Sequence, residues 1–157
     1  MESKEVFDKF SEYFALEEIV REDVLIQYGR NRDLLLSRFD PRLLETMIFI
    51  REELGPITIN NYKWGGRFDE RGLRDNDAPM VKRKGRPYLS AHTLGAAFDF
   101  DVEGMTAIEV REWIESNQER LPYKVRLERK LNGKYISWVH LDVCDEPKNP
   151  KVYFFDI

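Results

Sequence analysis

The stretch Ser90-Ala91-His92-Thr93-Leu94-Gly95-Ala96-Ala97-Phe98-Asp99-Phe100-Asp101-Val102 is half turn and half strand. In a strand, successive side chains alternate between two faces. Ala96, Phe98, Phe100 and Val102 therefore share one face, and Asp99 and Asp101 share the other. The first face suits a hydrophobic core, and the second carries carboxylates. The segment Ser137-Trp138-Val139-His140-Leu141-Asp142-Val143 is built the same way, with Val139, Leu141 and Val143 opposite Trp138, His140 and Asp142. Each strand thus presents a possible ligand on its polar side, although periodicity alone does not make the two strands neighbours.

The flanking sequence supplies the remaining elements. Val6, Phe10, Tyr13 and Phe14 recur at helical spacing in a short amphipathic segment. A second helix has Asp40 as its cap and Pro41 in its first turn, buries Leu43, Leu44, Met47, Ile48 and Leu54, and stops at Gly55. Ile57-Thr58-Ile59-Asn60 predicts a short strand. Residues 61–90 are rich in Gly, Arg, Asp and Pro and show no sustained period; loops of that length in a compact domain are often functional. Thr106 and Glu109 form a capping-box signature for a helix ending near Asn117. Asn132-Gly133 predicts a hairpin, and Val152 to Phe155 a final strand. Helices first and strands later predict a single α+β domain over residues 1–157. It has a helical part at 1–55 and a metal-site core at 56–157, with helices on one face of a small antiparallel sheet.

Charge and composition exclude several functions. The chain has 25 basic and 29 acidic residues among 157, a net charge of −4, and no basic stripe, so nucleic acid is not an expected partner. No apolar run approaches the roughly 18 residues of a membrane span, so no membrane partner is expected. The start, Met1-Glu2-Ser3-Lys4-Glu5-Val6-Phe7, lacks the apolar stretch of a signal peptide, so synthesis is expected in the cytoplasm. Cys144 is the single cysteine, which rules out an intramolecular disulfide and a Cys-rich zinc site. The two histidines, His92 and His140, thus stand out. Imidazole nitrogen and carboxylate oxygen are suitable zinc ligands, and a catalytic zinc takes three protein ligands plus water. Taken singly, a strand histidine is more often a hydrogen-bonded structural residue.

The pattern Ser-x-His-x-x-Gly-x-Ala-x-Asp at Ser90, His92, Gly95, Ala97 and Asp99, followed by Trp138-x-His140, resembles the zinc D-Ala-D-Ala carboxypeptidases and L-Ala-D-Glu endopeptidases. These are relatives of the lysostaphin and hedgehog zinc domains. Asn60-Asn61-Tyr62-Lys63-Trp64-Gly65-Gly66 through Arg71-Gly72-Leu73-Arg74 extends the likeness towards a phage and prophage branch, so it covers residues 57 to 144. The resemblance implies a Zn2+ ion on His92, Asp99 and His140, a hedgehog/DD-peptidase-like fold and a peptidoglycan stem peptide as substrate. It also implies a monomer released at lysis or carried in a phage particle. The alternative is a phage or prophage structural or binding protein that keeps the fold without catalysis.

One departure bears on activity. Many members carry Glu-x-x-His, whose Glu is the general base, and here that position is Ser137. A two-residue turn at Asn132-Gly133 would set Glu128 opposite Ser137 and turn it to the apolar face. A three-residue loop, Leu131-Asn132-Gly133 with Gly133 in a bulge, instead groups Tyr123, Val125 and Leu127 with the core and Arg126 and Glu128 with His140. Glu128 is then the preferred base. Asp142 is the runner-up, with orienting a ligand or pairing with Lys124 as its other roles. Arg67, Arg71, Arg74 and Arg86 can hold a peptide carboxylate, with Arg71 favoured. Ser90 can bind substrate or support a ligand, and Trp64 and Trp138 can wall the cleft.

Overall fold

The first buried ring of the sheet, Phe98, lies against Phe10 with centroids 6.3 Å apart and against Phe39 at 5.2 Å. That contact joins the N-terminal helices to the strands in one core. A computed structural model describes residues 2–86, 88–148 and 150–157. Its helices are α1 (Ser3–Tyr13), α2 (Glu22–Gln27), α3 (Arg32–Leu36), α4 (Pro41–Leu54), α5 (Pro79–Lys82) and α6 (Ala107–Ser116). Its strands are β1 (Ile57–Thr58), β2 (Ala97–Val102), β3 (Val125–Leu131), β4 (Lys134–Asp142) and β5 (Val152–Asp156). The fold is α+β. Among the described residues, no helix is long and apolar enough to cross a membrane.

Local chemistry explains the helix ends. The Asp40 side chain accepts from the Arg42 amide at 2.9 Å and Pro41 opens α4, while Gly55 closes it at φ +93°. Thr106 and Glu109 form the reciprocal capping box of α6 at 3.2 and 2.8 Å. The inner faces of α1 (Val6, Phe10), α4 (Leu43, Leu44, Met47) and α6 (Val110, Ile114) join Phe98, Phe100, Leu127, Val139 and Leu141 in a single cluster. Each such side chain stabilises the fold by about 1.5–3 kcal/mol.

The sheet order is β1-β2-β4-β3-β5. It is mixed, which corrects the expectation of a purely antiparallel sheet: β5 runs parallel to β3, with Val152 beside Val125. The reason is topological. β4 ends where β3 begins, at Arg126 opposite Asp142, so the chain that crosses β3 there must run along it in the same direction. β1 is also shorter than expected, ending at Thr58.

The hairpin corrects a second expectation. Its turn has two residues, with Leu131 opposite Lys134 and with Asn132 and Gly133 at φ +51° and +76°. The register then shifts within the ladder, between Lys130 opposite Tyr135 and Glu128 opposite His140. Arg126 and Glu128 thus reach the His140 side and Val125 and Leu127 the core, as the hydrophobic pattern requires, but the bulge lies in mid-strand and not at the turn.

Candidate metal centre

Asp99 and His140 are direct cross-strand partners in β2 and β4. Their polar faces meet, and His92 joins them from the turn before β2. That turn is held from within by the Ser90 amide on Thr93 Oγ1 at 2.8 Å and by the Ala96 amide on the Ala91 carbonyl at 2.8 Å. It is held from outside at Gly95, whose φ is +66° and whose Cα lies so close to the Arg38 carbonyl that a Cβ would stand 2.0 Å from that oxygen. The Asp40 amide donates to the Gly95 carbonyl at 2.9 Å, tying the start of α4 to the motif. Only glycine fits there.

His92, Asp99 and His140 each offer one donor atom, and these atoms all lie within 4.8 Å of one another. The group can hold a metal ion. His92 Nδ1 faces the Gly72 carbonyl at 2.9 Å. A carbonyl only accepts, so Nδ1 carries the proton and Nε2 presents a lone pair. That Nε2 is buried, has no hydrogen-bond partner among the described residues, and faces Asp99 Oδ1 at 3.3 Å. Two acceptors converging at a buried point is the arrangement a cation resolves.

His140 is oriented in the same manner. Its Nδ1 lies 2.8 Å from Asp99 Oδ1 and its Nε2 3.0 Å from Asp142 Oδ2. Asp142 is fully buried. Arg126 donates to it through Nε at 2.7 Å and Nη2 at 3.0 Å, and the Cys144 amide donates at 3.1 Å. With Nε2–H given to Asp142, Nδ1 is left to face Asp99 and the vacant edge of His92. Burial works against a charged His140, but hydrogen bonds with Asp142 and Asp99 outweigh it and raise its pKa to about 9, so without a cation Nδ1 donates to Asp99, and a bound cation would take the place of that proton. Burial likewise opposes ionisation of Asp99, and His92 and His140 overcome it, holding the carboxyl well below the usual range. Arg74 Nη2 approaches Asp99 Oδ2 at 3.3 Å.

Glu128 stands opposite His140, only 7% exposed, with no hydrogen bond or ion pair among the described residues. Burial pushes its pKa up, and the nearby Asp99 and Asp142 add to this against His140 and Arg111. A buried carboxylate with a raised pKa beside three candidate metal donors is a functional-site candidate. Asp142, by contrast, has both its oxygens engaged, and its cation is Arg126, not Lys124.

A cavity of 380 Å³ lined by Ser90, His92, Asp99, Glu128, Trp138 and His140 opens over the group. A second lobe of 240 Å³ shares Arg74, Met80, Asp99 and Trp138 with it and adds Arg67, Phe68 and Arg71. Trp138 therefore walls both lobes, whereas Trp64 is 59% exposed and lies outside them. Arg71 lines the second lobe, stacked 3.6 Å from the Phe68 ring centre and paired with Asp101 at 2.7 Å. Arg74 is the arginine that touches the metal group, and Arg86 lines neither lobe.

Two contributors, Gly72 and Phe155, and the pairing of Arg126 with Asp142 were not evident from sequence. Gly72 supplies the carbonyl that sets the His92 tautomer, and its own Cα is pressed against Ile19, where a Cβ would stand 2.0 Å from the carbonyl oxygen. No local signal marks that contact. Arg126, which clamps Asp142, is recognisable only once the β3–β4 register is known. Phe155 of β5 stands edge-on to His140 at 5.8 Å and closes the far wall. Comparison with family models, with characterised proteins and with solved structures found no match.

Proposed function

We propose that His92, Asp99 and His140 hold a zinc ion and that the chain is a metallopeptidase acting on peptidoglycan stem peptides, of the D-Ala-D-Ala carboxypeptidase or L-Ala-D-Glu endopeptidase type. The observation that carries this reading is the paired orientation of two histidines from outside. His92 gives Nδ1–H to Gly72 and His140 gives Nε2–H to Asp142, so His92 Nε2 and His140 Nδ1 turn to the same Asp99 oxygen, where a cation would replace the Nδ1 proton. A nitrogen–oxygen–nitrogen set suits zinc, and three protein ligands beside an open cavity leave a position for water or substrate. When bound, zinc would polarise the scissile carbonyl and acidify water.

The residues of the chain do the rest. Glu128 accepts the proton of the attacking water on a carboxylate oxygen and returns it to the leaving amine nitrogen. Its buried position keeps that oxygen out of competing ion pairs. Asp142 and Arg126 keep His140 in one tautomer. Trp138 shields the cleft from water, and Arg71 at the edge of the second lobe offers a guanidinium to a peptide carboxylate.

A second reading, a phage or prophage structural or binding protein that keeps the site without catalysis, is favoured by one feature: Ser137 stands where Glu-x-x-His would place its base. The test is bound zinc per chain together with cleavage of defined muropeptides by the wild type, His140→Ala and Glu128→Gln. Zinc at one per chain with peptide release lost in both variants is the expected result. Zinc without cleavage of any stem peptide favours the second reading, and no zinc after reconstitution overturns the first.

A further inference from the structure

Arg111 of α6 is a buried cation, 4% exposed, that forms no ion pair among the described residues. Its guanidinium instead donates through Nη1 to the Trp138 carbonyl at 3.2 Å and through Nη2 to the Ile136 carbonyl at 3.4 Å. These carbonyls belong to the irregular part of β4. Between the pairs Lys130–Tyr135 and Glu128–His140 the register advances two residues on β3 but five on β4, and residues 136–138 have no register partner in β2 or β3. Peptide groups expelled from a ladder need other partners when buried, and a planar fork of N–H donors can hold two carbonyls at once.

The irregularity has a consequence for the site. Continued unbroken from the Asn132-Gly133 turn, the register would place Glu128 opposite Ser137 and on the other face of the sheet from His140. The extra length of β4 cancels this. We infer that Arg111 is a positioning residue that pins the β4 bulge and thereby sets Glu128 opposite His140. This inference rests on the reading of Glu128 as general base.

Arg111→Met and Arg111→Lys in the full chain test it. None of the metal donors lies in the bulge, so zinc affinity in both variants should stay within about threefold of wild type, whereas losing a base displaced from its proton costs about 100-fold in kcat. The expected result for Arg111→Met is faster amide exchange at residues 136–139 and that fall in kcat at unchanged KM. Adding Glu128→Gln to Arg111→Met should then cost less than about threefold more, because the two changes remove the same interaction. Lysine reaches one carbonyl, so Arg111→Lys should recover part of the lost kcat and of the exchange protection, and it carries the test if Arg111→Met does not fold. Wild-type exchange rates at 136–139 in the folded variants overturn the inference. So does a Glu128→Gln penalty as large in the Arg111→Met background as in wild type. If the wild type cleaves no stem peptide, the peptidase reading fails, and the exchange rates alone decide whether Arg111 pins the bulge.

Discussion

Asp142→Asn changes one atom and no shape, so its effect isolates the carboxylate behind His140. Asp142 is fully buried and accepts four hydrogen bonds, two from Arg126, one from the Cys144 amide and one from His140 Nε2. Asn has a single acceptor oxygen, and whichever way its amide turns, the NH2 faces donors. A buried donor set against donors costs about 1–3 kcal/mol. In a protein of this size about 2–4 °C of melting temperature is lost per kcal/mol, so Tm should fall by about 2–12 °C. Zinc affinity should fall by about 10- to 100-fold, because the proton on Nε2 is no longer held and Nδ1 is no longer the nitrogen fixed towards the metal. That corresponds to about 1.4–2.8 kcal/mol. Affinity is measured by competition with a chromophoric chelator, and the melting curve is taken in excess EDTA so that the fold is assayed apart from the metal. Zinc binding within about twofold of wild type in Asp142→Asn would refute the assignment of Asp142 as the residue that orients His140.

Gly72→Ala places a methyl against the Ile19 carbonyl, so the loop must retreat and carry away the acceptor of His92 Nδ1. The expected result is a stability loss of about 1–3 kcal/mol together with weakened zinc binding, read by chemical denaturation and by the same chelator competition. Burial opposes a charged Glu17, but hydrogen bonds from Lys63 and Arg30 prevail and lower its pKa to about 2. Because the folded value lies below the unfolded one, this stability is fully present above about pH 4.3 and is lost as pH falls towards 2. Glu17→Gln should therefore cost about 1–2 kcal/mol at neutral pH, discounted because the Lys63 and Arg30 ends are half exposed, and flatten the acid limb of the stability curve between those pH values. An acid limb identical to wild type would remove Glu17 as its source.

Much of the site was legible because its signals are short-range. Alternation over Ala96 to Val102 and over Ser137 to Val143 assigns each side chain to a face whatever the rest of the chain does, and the faces carrying Asp99 and His140 are those that meet. Caps at Asp40 and Thr106 act within one turn, so the starts of α4 and α6 could be read from residues three or four apart.

The remainder depended on contacts between residues far apart in sequence. The hydrophobic pattern demanded that Glu128 and Val125 face opposite sides, and that demand was met, but by a mid-strand bulge that no turn residue announces. The direction of β5 followed from where β4 ends, which is a property of the assembled sheet. By itself the sequence determined the two donor-bearing strand faces, the helix caps and the glycine-bearing turn around His92, since each is settled by neighbouring residues. Only the tertiary structure decided which nitrogen of each histidine faces Asp99, which arginine clamps Asp142 and which touches Asp99, and how Glu128 comes to face His140. Those choices are made by Gly72, Asp142, Arg74, Arg126 and Arg111 across gaps that local propensity does not span.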